Sequence, residues 1–315
     1  MQRALPSADA GRFAPWLLVF IALYVALMLW SDRNYQLGDK LMASGWVLAG
    51  ILPLIFVSLL LRYQRWRMLL SRMGRHTGFG AGFLAYLAGF ALTASPGKAG
   101  ELIRIRYFAR LGVRSDMTVA AFVYERASDL VVVLGLSLLV ASRVPALGWV
   151  VGAILAVVTA IICLSWHPRH LKRIRRGLMR AAPAWTARPF GVLLGGFAKI
   201  GPLLNARTVL GSLFIGTVAW LMPSIAFAGL CTVLGIQLPL LTALGIYPAA
   251  MLVGALSFVP GGIGTTEAAT ILMLTSLGVG LPEALAAAVG IRLTTLWFAT
   301  LLGAGCIVPL EGLRR

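Results

Sequence analysis

Residues 208–266 contain no Asp, Glu, Lys or Arg, and the same absence marks residues 13–31, 41–61, 76–97, 144–166 and 293–310. A membrane-spanning helix needs about 20 largely apolar residues, so most of these runs are long enough to cross a bilayer. A soluble domain has no surface made from such stretches. Composition agrees: 12% of residues are charged, against about 25% in ordinary soluble domains. The chain has 28 Lys and Arg but 10 Asp and Glu, a net charge of +18. In a polar chain that excess would point to nucleic acid. In one that is 59% hydrophobic, it points to the charged face of a membrane. The fold class read from this is all-α: a polytopic integral membrane protein forming one transmembrane domain over 1–315.

Full spans are expected at about 14–30, 44–61, 117–140, 146–166, 208–234 and 284–308, six in all. Two shorter units interrupted by Pro and Gly lie between them, at 79–110 and 240–280. Arg62, Arg65, Arg67, Arg72 and Arg75 crowd the segment 62–78, and the segment 167–207 is equally basic. The alternate loops hold only Arg33, Lys40 and Arg143. The positive-inside rule then puts both termini and the 167–207 loop in the cytoplasm, with the protein in the cytoplasmic membrane. Segments 98–114 and 171–180 alternate apolar and basic residues and are expected to lie in the headgroup plane. Cys163, Cys231 and Cys306 have neither disulfide nor zinc spacing and are expected in the core. No metal-ligand cluster or nucleotide fingerprint is present, so no cofactor is expected. Ser95-x-x-Lys98 lacks the companion motifs of an acylating serine.

Six charges fall inside the apolar units: Glu101, Glu125, Arg126, Asp129, Glu267 and Arg292. Each costs about 2.5–3.5 kcal/mol in lipid if unpaired, so they must pair or line a wet cavity. Glu125 and Asp129 share a helix face, and Arg292 is a candidate partner for either. One reading is an ion-pair cluster that fixes helix register. The other is a polar route through the membrane.

A repeat sharpens the second reading. Pro96-Gly97-Lys98-Ala99-Gly100-Glu101 and Pro260-Gly261-Gly262-Ile263-Gly264 with Glu267 share Pro-Gly-x-x-Gly followed by Glu. Each ends an apolar segment, and each is followed by a span carrying an arginine, Arg126 or Arg292. Proline stops the incoming helix and glycine permits a sharp turn. The backbone N–H groups that then open the next helix form an anion site. Paired, broken, oppositely oriented units are the mark of an inverted-repeat transporter, here with a first repeat at about 79–140 and a second at about 240–308.

The order Arg62-x-x-Arg65-Trp66…Leu69-Leu70, Pro96-Gly97-Lys98-x-Gly100-Glu101-x-x-Arg104, Glu125-Arg126-x-x-Asp129 and Pro260-Gly261-Gly262-x-Gly264-x-x-Glu267 resembles the flippase-like transmembrane family. This is the lysylphosphatidylglycerol synthase transmembrane region, and the resemblance covers about residues 14–309. It implies translocation of a lipid across the bilayer, performed in bifunctional relatives on an aminoacylated phospholipid beside a soluble synthase domain. The chain ends at Arg315 without such a domain, so lipid synthesis is not expected of it. The resemblance leaves open aminoacyl-lipid, hopanoid and polyprenyl-linked glycan pathways.

The leading expectation is a lipid flippase-like transporter rather than an enzyme. Its partner is a membrane lipid, an anionic phospholipid or lipid-linked substrate, with a lipid synthase or glycosyltransferase as a possible protein partner and no nucleic acid. Arg126 and Arg292 would hold the lipid phosphate, assisted by Lys98 and by the N–H groups at Gly97, Gly100, Gly261 and Gly264. Glu101, Glu125, Asp129 and Glu267 would hold those arginines, or meet a cationic headgroup or a coupling proton. The rival expectation is an accessory subunit of an envelope-lipid pathway that moves nothing.

Overall fold

The computed structural model describes residues 45–93, 96–143, 199–257 and 259–312, with isolated positions outside these ranges. The expected span 14–30, most of 146–166, and the basic loop up to residue 198 lie outside the described residues. Every described regular element is helical. In chain order these are α1 (Gly45–Arg72), α2 (Phe79–Ala88) running into a 3-10 turn (Gly89–Leu92), a 3-10 segment (Pro96–Ile103), α3 (Arg104–Arg110) and α4 (Ser115–Ala141). After residue 199 come α5 (Ala206–Val233), α6 (Leu240–Leu256), a turn (Pro260–Gly262), α7 (Thr265–Ser276) and α8 (Leu281–Arg292). A π-helical turn (Leu293–Trp297) then leads into α9 (Phe298–Gly312).

Among the described residues, α1, α5 and the continuous stretch Leu281–Gly312 are long and apolar enough to cross a membrane. α4 matches them in length but carries Asp116, Glu125, Arg126 and Asp129. The chain is therefore a multi-pass integral membrane protein. α1 and α5 pack together, joined where the Ser58 hydroxyl donates to the Ala219 carbonyl at 2.7 Å. Each contains one proline, Pro53 or Pro223, a break in backbone bonding that neighbouring helices make tolerable in a membrane.

The two Pro-Gly units are hairpins. At about 1.5 Å per residue, the 17 residues of α6 reach about 25 Å, short of the roughly 30 Å hydrocarbon core. The apolar stretch Phe79–Leu92 is shorter still. Each strikes its proline and turns back, α2 onto α3 and α6 onto α7. The second turn needs φ of 62° at Gly261, 63° at Gly262 and 83° at Gly264, angles that glycine adopts without steric cost.

The hairpins exchange partners. α6 lies on α4, and α9 lies on α2 and its 3-10 turn. Glycine permits both contacts: a Cβ on Gly245 would sit 2.9 Å from the Val140 backbone nitrogen, and one on Gly303 would overlap the backbone of Leu87–Ala91. Each hairpin's first arm thus rests on the span that follows the other hairpin. Between them, the 3-10 segment Pro96–Ile103 touches the turn Pro260–Gly262.

Two expectations change here. α1 does not stop at residue 61 but continues to Arg72, which takes Arg62 and Arg65 out of the expected loop and into the helix bundle. The basic stretch 98–114 is not a surface helix: Arg104 is buried, while Arg106 and Arg110 stay outside and bind Glu311 near the end of α9. Of the cysteines, Cys231 and Cys306 are buried as expected, and Cys163 is exposed.

Candidate functional site: a buried arginine–carboxylate network

Helical spacing on α4 aims Glu125 and Asp129 at the same neighbour, and that neighbour is α1. Arg65 donates to Asp129 at 2.6 Å and to Glu125 at 3.4 Å, and Arg62 donates to Asp129 at 3.4 Å. Ser58, Arg62, Arg65, Trp66 and Leu69 are all buried on α1, recurring every three or four residues, so the helix turns one face inward over its whole length. The α5 backbone approaches Arg65 closely at Gly216, where a Cβ would lie 2.7 Å from Nη1. The Arg62 guanidinium also sits 4.3 Å from the Trp220 ring centroid, a cation–π contact strengthened by exclusion of water.

The first hairpin adds a third arginine. Arg104 Nε donates to the Tyr86 carbonyl at 3.0 Å, and its Nη1 donates to Glu125 at 3.4 Å. Its Nη2 lies 3.3 Å from Glu101. Its guanidinium stands 4.0 Å from the Tyr86 ring centroid and 4.8 Å from that of Phe90. The side chain threads past Gly89, where any Cβ would overlap it. The Tyr86 hydroxyl donates to Glu125, and Thr93 donates to Glu101 at 3.3 Å. Arg126 completes the set: its Nη2 is 3.1 Å from Asp129 and 3.6 Å from Glu125.

The network thus gathers four arginines (62, 65, 104, 126) around three carboxylates (101, 125, 129), one positive charge in excess. Arg65 Nε and Nη1, and Arg126 Nε, are buried without a hydrogen-bond partner among the described residues. Arg65, Glu101 and Glu125 have no exposed surface, whereas the Arg126 side chain retains 19%. Arg126 is therefore the outermost arginine of a closed cluster. Buried cationic donors left unbonded are costly.

Arg292 pairs with Glu267 rather than with Glu125 or Asp129, the partners expected from sequence. Its Nε donates to Glu267 at 3.0 Å and its Nη2 to the Gly261 carbonyl at 2.6 Å, because α7 and α8 are sequential neighbours that pack together. The N–H of Gly264, expected to face an anion, donates to Glu267 at 2.8 Å. Glu267 therefore caps the start of α7 and holds Arg292 at once. In each hairpin a glutamate just past the Pro-Gly break meets an arginine: Glu101 meets Arg104, and Glu267 meets Arg292.

Gly97, Lys98 and Gly100 lie in the first 3-10 segment, and the Lys98 side chain is outside the described residues. Arg62, Arg65, Arg104 and Tyr86 are the network members missing from the expected site. The first three stand inside the motifs quoted above, but their neighbours in sequence are basic, so Arg62 and Arg65 are expected in a loop and Arg104 on a helix in the headgroup plane. Among the described residues no cluster of His, Cys, Asp and Glu is arranged to hold a metal.

The chain is 28% identical over 310 residues to a "UPF0104 membrane protein" of Methanothermobacter thermautotrophicus, covering 90% of this chain and 89% of that protein. It is 32% identical over 85 residues to a phosphatidylglycerol lysyltransferase of Staphylococcus xylosus, covering 26% of this chain and 10% of that protein. Residues 12–303 match the family described as the lysylphosphatidylglycerol synthase TM region. Taken with the all-helical membrane fold, that match over nearly the whole chain means the protein belongs to the lysylphosphatidylglycerol synthase transmembrane-region family.

Proposed function

We propose that the protein is a lipid flippase-like transporter that moves a phospholipid or lipid-linked headgroup across the cytoplasmic membrane, with its acyl tails remaining in the bilayer. One observation carries this reading: beside the first Pro-Gly break a buried network holds one arginine more than its carboxylates neutralise, and among the described residues several of its guanidinium nitrogens have no hydrogen-bond partner. A register lock gains nothing from an extra buried cation, whereas a phosphate site needs one. Arg126 is the first contact for the phosphate, and Arg65 and Arg104 lie behind it. In this proposal Lys98 and the N–H groups of Gly97 and Gly100 add further contacts to the phosphate. Separation of the hairpins admits the headgroup, and the Arg292–Glu267 pair at Gly261 and Gly264 secures the second hairpin as it moves. The basic ends of the helices face the cytoplasm on this reading, with both termini on that side.

The alternative is a non-transporting accessory subunit of an envelope-lipid pathway, bound to a lipid synthase or glycosyltransferase. It draws support from how fully Arg292 is engaged by Glu267 and Gly261, the behaviour of a structural tie. Flipping of a fluorescent anionic phospholipid in proteoliposomes separates the two. Wild-type protein accelerates flipping, and Arg126→Gln slows it by at least about tenfold, the loss of one charge-assisted contact. No acceleration by the wild type, or full acceleration by the variant, hands the lead to the accessory subunit.

A further inference from the structure

α1 carries a second basic face, opposite the one that enters the network. Arg62, Arg65, Trp66 and Leu69 point inward. Gln64, Arg67, Met68 and Ser71 recur with the same helical spacing about half a turn away, and they line a separate cavity of about 290 Å³. The α1–α2 turn closes the cavity with Arg75, His76 and Thr77. That turn is set by Gly74 at φ 76°, with the N–H groups of Met73 and Arg75 both donating to the Leu70 carbonyl at 3.0 Å. No carboxylate lines the cavity. Among the described residues neither Arg67 nor Arg75 pairs with an acid. Arg67 reaches only the Gln64 amide oxygen, at 3.3 Å, and the Phe79 ring, 5.4 Å from its centroid.

The depth of the cavity names its ligand. The 28 residues of α1 extend about 42 Å, longer than the roughly 30 Å hydrocarbon core. Arg67 to Ser71 lie about ten residues from the helix midpoint, which is the boundary between acyl chains and headgroups. Phe79, 46% exposed beneath Arg67, offers apolar surface at the same level. A pocket with guanidinium and amide donors above an exposed ring suits an anionic headgroup whose chains continue into the bilayer.

We propose that this pocket is a peripheral binding site for an anionic phospholipid, its phosphodiester held between Arg67 on α1 and Arg75 and His76 on the turn. The site is distinct from the buried network and stands whether or not that network transports lipid. A lipid bound there ties the end of α1 to the start of the first hairpin, so it sets how firmly that hairpin is anchored. All three donor side chains reach solvent or lipid, and the site needs no conformational change to fill.

The test uses the purified full-length protein in detergent micelles and a fluorescent short-chain phosphatidylglycerol. Saturable binding is expected, outcompeted by unlabelled phosphatidylglycerol but not by equimolar inorganic phosphate or phosphatidylcholine. Arg67→Gln and Arg75→Gln each weaken it about tenfold, as expected for loss of one charge-assisted contact. Arg75→Lys, which keeps the charge, retains most of it, and Arg114→Gln, at an exposed arginine outside both sites, leaves it unchanged. Since Arg75 is exposed and Arg67 only half-buried, folding survives these changes, which a matched melting profile checks. Binding that persists in both glutamine variants overturns the site, as does an equal loss in Arg114→Gln. Equal competition by inorganic phosphate overturns the lipid assignment.

Discussion

Gly89 and Arg104 illustrate how much of this protein depends on single side chains passing through tight places. A methyl at Gly89 takes the space of the Arg104 stem, and Arg104 is then driven from Glu125 and Glu101. Breaking a buried ion pair from one side costs about 3–5 kcal/mol, since the remaining charge stays buried. Gly89→Ala is therefore expected to lower the unfolding midpoint in detergent sharply. Gly135→Ala, on α4 with nothing within 4 Å, is expected to be neutral or to gain about 0.5–1 kcal/mol. Equal midpoints for the two variants would remove the role given to Gly89. The same logic applies to Arg292. Arg292→Met strands Glu267, so the double variant Arg292→Met/Glu267→Gln should unfold at a higher temperature than the single one. The reverse order would mean that the pair contributes little. Glu101, Glu125, Arg126, Asp129, Glu267 and Arg292 were legible as intramembrane charges because apolar sequence surrounds them. Arg62, Arg65 and Arg104 were not, because each stands in a basic stretch where charge normally means solvent.

The helical hairpins were legible from proline and glycine, and their details were not. Three left-handed glycines within four residues at the second turn make it the break to test. Adding a Cβ at positive φ strains the backbone whatever space surrounds it. Gly261→Ala and Gly264→Ala are each expected to destabilise the α6–α7 hairpin by about 1–2 kcal/mol and to slow lipid movement where the protein still inserts. Melting profiles and flipping rates at matched folded protein check this, and wild-type values in both would leave the turn as mere architecture. Gly303 probes the other hairpin. It has an ordinary helical φ, so Gly303→Ala acts only by pushing α9 off the backbone of Leu87–Ala91. That should loosen the first hairpin and weaken the grip of Glu311 on Arg106 and Arg110, visible as faster amide exchange in α2. The spacing of the basic stretch 98–114 suggested a surface helix, yet a 3-10 segment rotates Arg104 inward while Arg106 and Arg110 remain outside. Periodicity counted at α-helical spacing misses such a change of winding.

For the whole molecule, orientation in the membrane is the property with the most direct test. Met42 and Trp46 are exposed at one end of α1, and Arg75 is exposed beyond the other. In a cysteine-free background, which requires replacing the exposed Cys163, a cysteine at 42 should react with an impermeant thiol reagent on intact cells. One at 75 should react only after the cells are opened. The opposite pattern would invert the topology and put the phospholipid pocket in the other leaflet. Hydropathy and the count of charges were sufficient to establish a helical membrane protein, because a bilayer core admits only backbones that satisfy their own hydrogen bonds. The two breaks were equally readable, since proline and glycine act through local backbone sterics. Pairing was another matter. Whether Arg292 meets Glu125 or Glu267, and whether Arg65 faces headgroups or Asp129, depends on which helices lie side by side. That is decided by close backbone approaches at Gly216, Gly245 and Gly303 and by the meeting of the two hairpins, contacts between residues far apart in the chain that no local pattern encodes.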